Sequence, residues 1–209
     1  MQIEEVKFYN PGILVNTMSD EVFEELKLSC QFQIKNKNVA HGLKRAKMFD
    51  YSVSGIKESL IATIPKSYEN YLQQFANEYV SYYNLGYTKK PKVIQSWLNL
   101  QEKYEYRPLH KHFDNSGTGL SFVTYINIPY DKDTEDAYEN HYRATVFRNG
   151  RIEFVYNTFT GFQNMETIDI DKSYEGKTIL FLNSLIHIVY PFYTSDDYRV
   201  SLAGNIVFV

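Results

Sequence analysis

Near Lys89 the hydrophobic pattern of this 209-residue chain changes period, and that change constrains its fold more than any other feature. Before it, in PKSYENYLQQFANEYVSYYNLG, Tyr68, Tyr71, Leu72, Phe75, Tyr79 and Tyr82 recur at steps of three and four, and Gly86 follows as a stop. That spacing predicts one long helix over 65–85, its apolar stripe laid on the back of a sheet. After Lys89, apolar residues alternate in short runs broken by turn signals such as Asn149-Gly150 and Glu175-Gly176. The runs fall at Val93–Leu100, Tyr104–Phe113, Leu120–Ile128, Thr145–Phe147 into Ile152–Tyr156, Met165–Ile170, Thr178–Asn183, Ile186–Phe192 and Tyr198–Phe208. A helical annex followed by such a series of strands predicts a mainly β fold, a closed or sandwiched jelly roll.

The N-terminal half is otherwise thinly signalled. Gly12–Val15 reads as a short strand, and Ser19-Asp20 caps a helix running to about Cys30, with acids in its first turn. The mixed stretch 31–54 reads as a loop whose basic cluster is a solvated face, His41 included, and Ile56–Ile61 reads as helical. The acidic stretch Pro129–His141 reads as a long exposed loop, with His141 at the surface. The expectation is a single domain over 1–209, with 1–91 as helical support and 92–209 as the β core.

Charge and cysteine usage exclude several classes. With 22 basic and 25 acidic residues, a net −3, the chain carries no field that would recruit nucleic acid. The single Cys30 rules out an internal disulfide or a thiolate cluster and fits a reducing compartment. No apolar run approaches the roughly 18 residues of a membrane span, and MQIEEVKFYN has no signal core. A cytoplasmic protein of the producing or host cell, with no membrane partner, is expected. The 19 Tyr and 14 Phe are absorbed by sheet and core packing.

Two distant segments carry the chemistry. LHKHFDNSGTG places His110, His112 and Asp114 two apart in an extended stretch, hence on one face. Three consecutive ligands from one strand are awkward for a metal, so His112 and Asp114 are the better pair. His187 lies in the apolar run LFLNSLIHIVYPF, where by itself it reads more readily as a satisfied core histidine than as a ligand. Two imidazoles and one carboxylate on one face, with coordination positions left open, suit non-haem Fe(II). Arg199, a dozen residues on, shares a strand face with Ser201 and Asn205. A guanidinium aimed into a barrel requires an anionic partner. A diacid co-substrate supplies one, and an interior acid is the structural alternative.

These residues, in the order H-x-D, distal His, R-x-S, resemble the Fe(II)/2-oxoglutarate-dependent dioxygenase superfamily. HFDNSGTGLSFVTYIN is similar to the corresponding segment of prolyl hydroxylases. LSFVTYINIP, LIHIVYPF and RVSLAGN resemble a group of short, largely phage-encoded and bacterial oxygenases. The resemblance covers about 95–209. It implies a double-stranded β-helix in which His112, Asp114 and His187 ligate Fe(II) and Arg199 and Ser201 bind the distal carboxylate of 2-oxoglutarate. Asn205 faces the same interior, and either Tyr125 or Thr124 completes the co-substrate site. Trp97, Asn99 and Gln101 are candidates for substrate or co-substrate contacts. His110 is left as a residue beside the ligands, a substrate contact or itself the first ligand.

The implied activity couples decarboxylation of 2-oxoglutarate to succinate with hydroxylation of a substrate by O2. Ascorbate is the implied reductant, and a peptide or protein of prolyl type is the first substrate class, ahead of small molecules. Two other readings stay open from the residues alone. One is a non-catalytic jelly-roll binding protein with a vestigial site, and the other a cupin-like metalloenzyme that uses no 2-oxoglutarate.

Overall fold

In a computed structural model, residues 11–36, 58–112, 119–138, 148–158 and 160–209 are described. Ser19 accepts from the Val22 amide and opens α1 (Asp20–Lys35), which runs on through the stretch expected to be loop and ends on Asn36. Its preceding strand, β1 (Leu14–Thr17), and β2 (Glu58–Ile61) lie on either side of it in sequence. The helix α2 (Lys66–Tyr82) buries Tyr68, Leu72, Phe75, Ala76 and Tyr79; of the stripe read from the sequence Tyr71 is half-buried and Tyr82, in the last turn, is exposed.

The remaining strands are β3 (Pro91–Gln101), β4 (Arg107–His110), β5 (Leu120–Asn127), β6 (Ile152–Asn157), β7 (Gln163–Ile168), β8 (Lys177–Leu182), β9 (Ile186–Val189) and β10 (Arg199–Phe208). They form two antiparallel sheets, a large one in the order β1-β8-β5-β10-β3-β2 and a small one in the order β4-β9-β6-β7. From β3 onward the chain passes back and forth between the sheets, β6 and β7 alone pairing as neighbours within the small one, which gives the double-stranded β-helix with helices on one side.

Strand alternation explains how one sheet serves two cores. Leu98, Leu100, Phe122, Leu180, Leu202 and Ile206 face α1 and α2. Tyr125, Ile152, Phe154, Ile179 and Phe181 pack between the sheets. The helix side is tied by a buried hydroxyl chain, Tyr68 to Thr124 to Thr178, each step 2.6 Å. Burial pushes the Cys30 thiol up to about 12, so this cysteine is inert packing. Among the described residues no helix is long and apolar enough to cross a membrane.

Two expectations are corrected. The segment expected to be helical at 56–61 contributes instead the edge strand β2, in which Leu60 is buried and Ile61 exposed. Its four residues are too few for a stable helix, whereas pairing with β3 satisfies their backbone. The acidic loop contains a short helix, α3 (Lys132–Ala137), capped by the Asp131 carboxylate, which accepts from the Asp133 and Thr134 amides. Its Glu135 is only 1% exposed and accepts from the Tyr193 and Thr194 amides and the Thr194 hydroxyl. An acid legible as surface charge is therefore the anchor of the segment between β9 and β10. The expected strand at Thr145–Phe147, His41 and His141 lie outside the described residues.

Candidate metal and co-substrate site

Between the sheets lies a cavity of about 50 Å3, room for roughly four waters at 10–15 Å3 each. β3 presents Trp97, Asn99 and Gln101 to it, and β10 presents Arg199, Ser201 and Ala203. Tyr125 lines it from β5, whereas Thr124 turns to the helix side, which settles the alternation left open between them. From the small sheet and the chain following β4 come Arg107, His110, His112 and His187.

The three histidines converge, with one ring nitrogen from each lying within 4.8 Å of the others. His110 and His187 are directly opposite each other on β4 and β9, their ring centroids 4.1 Å apart. His112 is set by its amide, which donates to the Asn183 carbonyl at 2.8 Å. His110 Nδ1 lies 2.7 Å from the Pro108 carbonyl and His187 Nδ1 lies 3.0 Å from the Leu185 carbonyl. A carbonyl only accepts, so both Nδ1 atoms carry the proton and each Nε2 keeps a free lone pair. For His112 the partner is the Asn205 Oδ1, 2.9 Å away, which also accepts from the Ser121 hydroxyl at 3.0 Å. Ser121 Oγ also lies 2.8 Å from His112 Nδ1; because the Asn205 amide oxygen can only accept, His112 Nδ1 is the donor to it and Nε2 is left without the proton.

Asn205 was expected to face the interior, and its contact is with the histidine. Ser121 was not anticipated, although it shares parity with Val123 and Tyr125, both cavity-lining. We expect Asn205→Ala to weaken metal binding about 10- to 100-fold by freeing the ring, with far-ultraviolet circular dichroism unchanged. Titration with Co(II) checks this.

All three imidazoles are held neutral, as ligands must be. Burial, reinforced by the Arg107 charge, lowers His110 to about 4, and burial lowers His112 to about 4. His187, 4% exposed, lies well below its usual range through burial and the two neighbouring rings. A folded-state value below the unfolded 6.5 means that the unfolded chain binds more protons between about pH 6.5 and 4. The metal-free protein should therefore lose stability as pH falls through this window, each ring contributing up to about 1.4 kcal/mol per pH unit. Urea midpoints from pH 7.5 to 4.5 test it, and a flat profile would refute the neutral cluster.

Arg199 is 2% exposed and all five of its N–H groups are used. Nε and Nη2 donate to Gln101 Oε1 at 3.1 and 2.6 Å, Nη1 to the Tyr130 hydroxyl and the Gly150 carbonyl at 2.8 Å each, and Nη2 also to the Tyr190 carbonyl at 2.8 Å. Every partner is neutral, and among the described residues no Asp or Glu lines the cavity. The interior acid considered as a structural partner is absent from these contacts. Gln101 offers its amide oxygen to the fork that a carboxylate would take. Ser201 stands beside it and accepts from Asn99 Nδ2 at 3.4 Å. Asp114 lies in 113–118, outside the described residues.

Three free imidazole lone pairs and, in the same cavity, a buried guanidinium with no acid fit Fe(II) and a dicarboxylate. Residues 95–205, more than half of the chain, match the family described as "Putative 2OG-Fe(II) oxygenase". No curated protein sequence matches the chain. Among solved structures it is similar to a Pseudomonas putida prolyl-4-hydroxylase, with 13% identity, TM-score 0.55 and coverage of 95% of this chain and 93% of that one. It is also similar to EctD from S. alaskensis with 2-oxoglutarate and 5-hydroxyectoine (13%, 0.57, covering 95% and 73%). A third is the viral collagen prolyl hydroxylase of Paramecium Bursaria Chlorella virus-1 in a 2OG complex (12%, 0.50, covering 94% and 96%). At such identities the structures attest the shared fold, and the sequence match attests the family. The chain belongs to the 2OG-Fe(II) oxygenases, enzymes whose cofactors are Fe(II) and 2-oxoglutarate.

Proposed function

We propose that this oxygenase hydroxylates a peptide or protein at a prolyl-type position, and that His110, His112 and His187 hold its iron. The observation that carries the site assignment is the convergence of one ring nitrogen from each of three histidines in the cavity that Arg199 also lines. When bound, Fe(II) and 2-oxoglutarate supply oxidising chemistry in which 2-oxoglutarate is decarboxylated to succinate and one oxygen atom of O2 enters the substrate.

The chain's own residues orient and shield. The Pro108 and Leu185 carbonyls and Asn205 fix the three rings in the tautomer that leaves Nε2 unprotonated. Arg199, with Ser201 beside it, takes the distal carboxylate when the Gln101 side chain yields the fork. Trp97, Val123 and Phe181 wall the cavity with apolar surface, which strengthens charge interactions inside it and keeps water from competing. The peptide substrate class is supported by the likeness to two prolyl hydroxylases. The sequence alone would have made Asp114 the third ligand, and substitution separates the two assignments, as set out in the Discussion.

The test is succinate release by Fe(II)-loaded protein with ascorbate, against pools of proline-containing peptides, nucleotides and metabolites. Stimulation by the peptide pool, with a +16 Da product by mass spectrometry, is the expected result. Stimulation by the nucleotide or metabolite pool alone would reject the peptide class, and turnover of no pool would reject hydroxylation.

A further inference from the structure

A second pocket lies at the end of the small sheet that carries the histidine cluster. It encloses about 240 Å3, several times the volume of the cavity between the sheets. Register explains where it sits. Phe154 pairs with His187 and packs between the sheets, so the next pair, Val155 and Ile186, faces the other way, and Asn157 with its partner Gln163 shares that outward face. All four line the pocket. Tyr156, of the inward parity, lines it too, so the pocket reaches round the sheet end.

The turn between β8 and β9 joins this pocket to the metal cluster. Ser184 and Leu185 line the pocket, while the Asn183 carbonyl accepts from the His112 amide at 2.8 Å and the Leu185 carbonyl lies 3.0 Å from His187 Nδ1. One short turn is thus a wall of the pocket on one side and the seat of two histidines on the other. Leu185 and His187 are two residues apart, roughly 7 Å in extended chain, which is also the reach of two residues of a bound peptide. Among the described residues no Asp, Glu, Lys or Arg lines the pocket, whereas the cavity between the sheets holds two arginines. Val155 and Ile186 give it an aliphatic floor, and the exposed Asn157, Gln163 and Ser184 a polar, uncharged rim. Such a lining takes an apolar side chain whose backbone amides meet the rim, and a charge placed on that floor would lose its water without gaining a partner. The volume is below the roughly 300–1,000 Å3 of a site for a whole drug-sized ligand, and suits a side chain or two of a longer chain.

We propose that this pocket is a specificity subsite of the enzyme, taking an uncharged apolar residue of the peptide substrate, proline or an aliphatic one, two or three positions from the residue that is hydroxylated. The inference rests on the reading of the protein as a peptide hydroxylase. Tyr156 adds a ring against which a pyrrolidine can pack.

The experiment reads occupancy of the pocket without turnover. Cys30, the single cysteine, is buried and inert, so Ser184→Cys places one reactive thiol at the rim, and its alkylation by iodoacetamide slows when the pocket is filled. The probes, added to Co(II)-loaded protein with 2-oxoglutarate, are acetyl-heptaproline amide and two peptides of the same length in which the central proline is flanked on both sides by three glutamates or by three lysines. Heptaproline should slow alkylation about tenfold at ten times its dissociation constant, by simple mass action, and the two charged peptides should leave the rate as it is without peptide. The proposal is overturned if heptaproline leaves the rate unchanged up to about 10 mM, or if either charged peptide protects the thiol as well as heptaproline does. If Ser184→Cys fails to bind Co(II), Gln163→Cys, on the opposite rim, carries the same comparison. Incubating heptaproline with the Fe(II)-loaded parent separates the two readings. A +16 Da product without thiol protection overturns the subsite alone, whereas thiol protection without hydroxylation supports the pocket's selection of an uncharged peptide and removes the prolyl assignment.

Discussion

Replacing His187 by alanine should abolish high-affinity Co(II) and Fe(II) binding, raising the dissociation constant by more than about 100-fold, since even the partners behind a ligand cost 10- to 100-fold. The cause is local: His187 stands at the centre of the cluster, 4.1 Å from the His110 ring and 5.3 Å from that of His112. The substitution also relieves a buried imidazole, so the metal-free variant should be no less stable at pH 5 than its parent. Quenching of Trp97 fluorescence on metal addition gives the affinity directly. The same titration identifies the third ligand. His110→Ala should cost tenfold or more and Asp114→Ala less than about threefold. The reverse order would restore the H-x-D set read from the sequence. His187→Ala with parent-like metal affinity would end the iron assignment at this cluster.

The second large effect belongs to Arg199. Arg199→Gln strips hydrogen bonds from the Tyr130 hydroxyl and the Gly150 carbonyl, both in buried surroundings, and from the part-buried Tyr190 carbonyl. Stranded buried acceptors cost about 1–3 kcal/mol each, so the free protein should lose on the order of 3 kcal/mol, a fall in Tm of roughly 10 °C at this size. The parent should show the opposite response to co-substrate. With metal present and 2-oxoglutarate at about 100 times its dissociation constant, mass action adds about 2.7 kcal/mol of stability. The variant should show little of that gain. Differential scanning calorimetry with and without 2-oxoglutarate separates the two terms. An undiminished ligand-induced rise in the variant would show that the distal carboxylate is held elsewhere.

Much of this was legible because period and parity are physical. The stripe from Tyr68 to Tyr79 and the inward set Arg199, Ser201 and Asn205 follow from 3.6 and 2 residues per repeat, and the structure places them as expected. The shared cavity of His112, His187 and Arg199 was legible for the same reason. What was lost was lost at points where local pattern yields to context. β2 is too short for its period to be read, and only its partner β3 makes it a strand. Glu135 reads as surface because no local signal announces the Tyr193 and Thr194 amides that it accepts. Arg107 was missed because a bulge inverts parity, and nothing in RPLHKH marks where the extra residue falls. His110 was under-weighted for a related reason: its pairing with His187 is a property of register, which sequence spacing does not contain.

The placement of the two N-terminal strands bears on how such an enzyme can be inherited. Every residue implicated in chemistry lies between Trp97 and Asn205, yet β1 closes one edge of the large sheet on β8 and β2 closes the other on β3. The helices cover the apolar face formed by Leu98, Leu100, Phe122, Leu180 and Leu202. A fragment beginning at the first chemical residue would present two unpaired strand edges and an uncovered face, the recipe for association between chains. Recombination or gene fragmentation thus cannot carry off the catalytic stretch without the segment that precedes it.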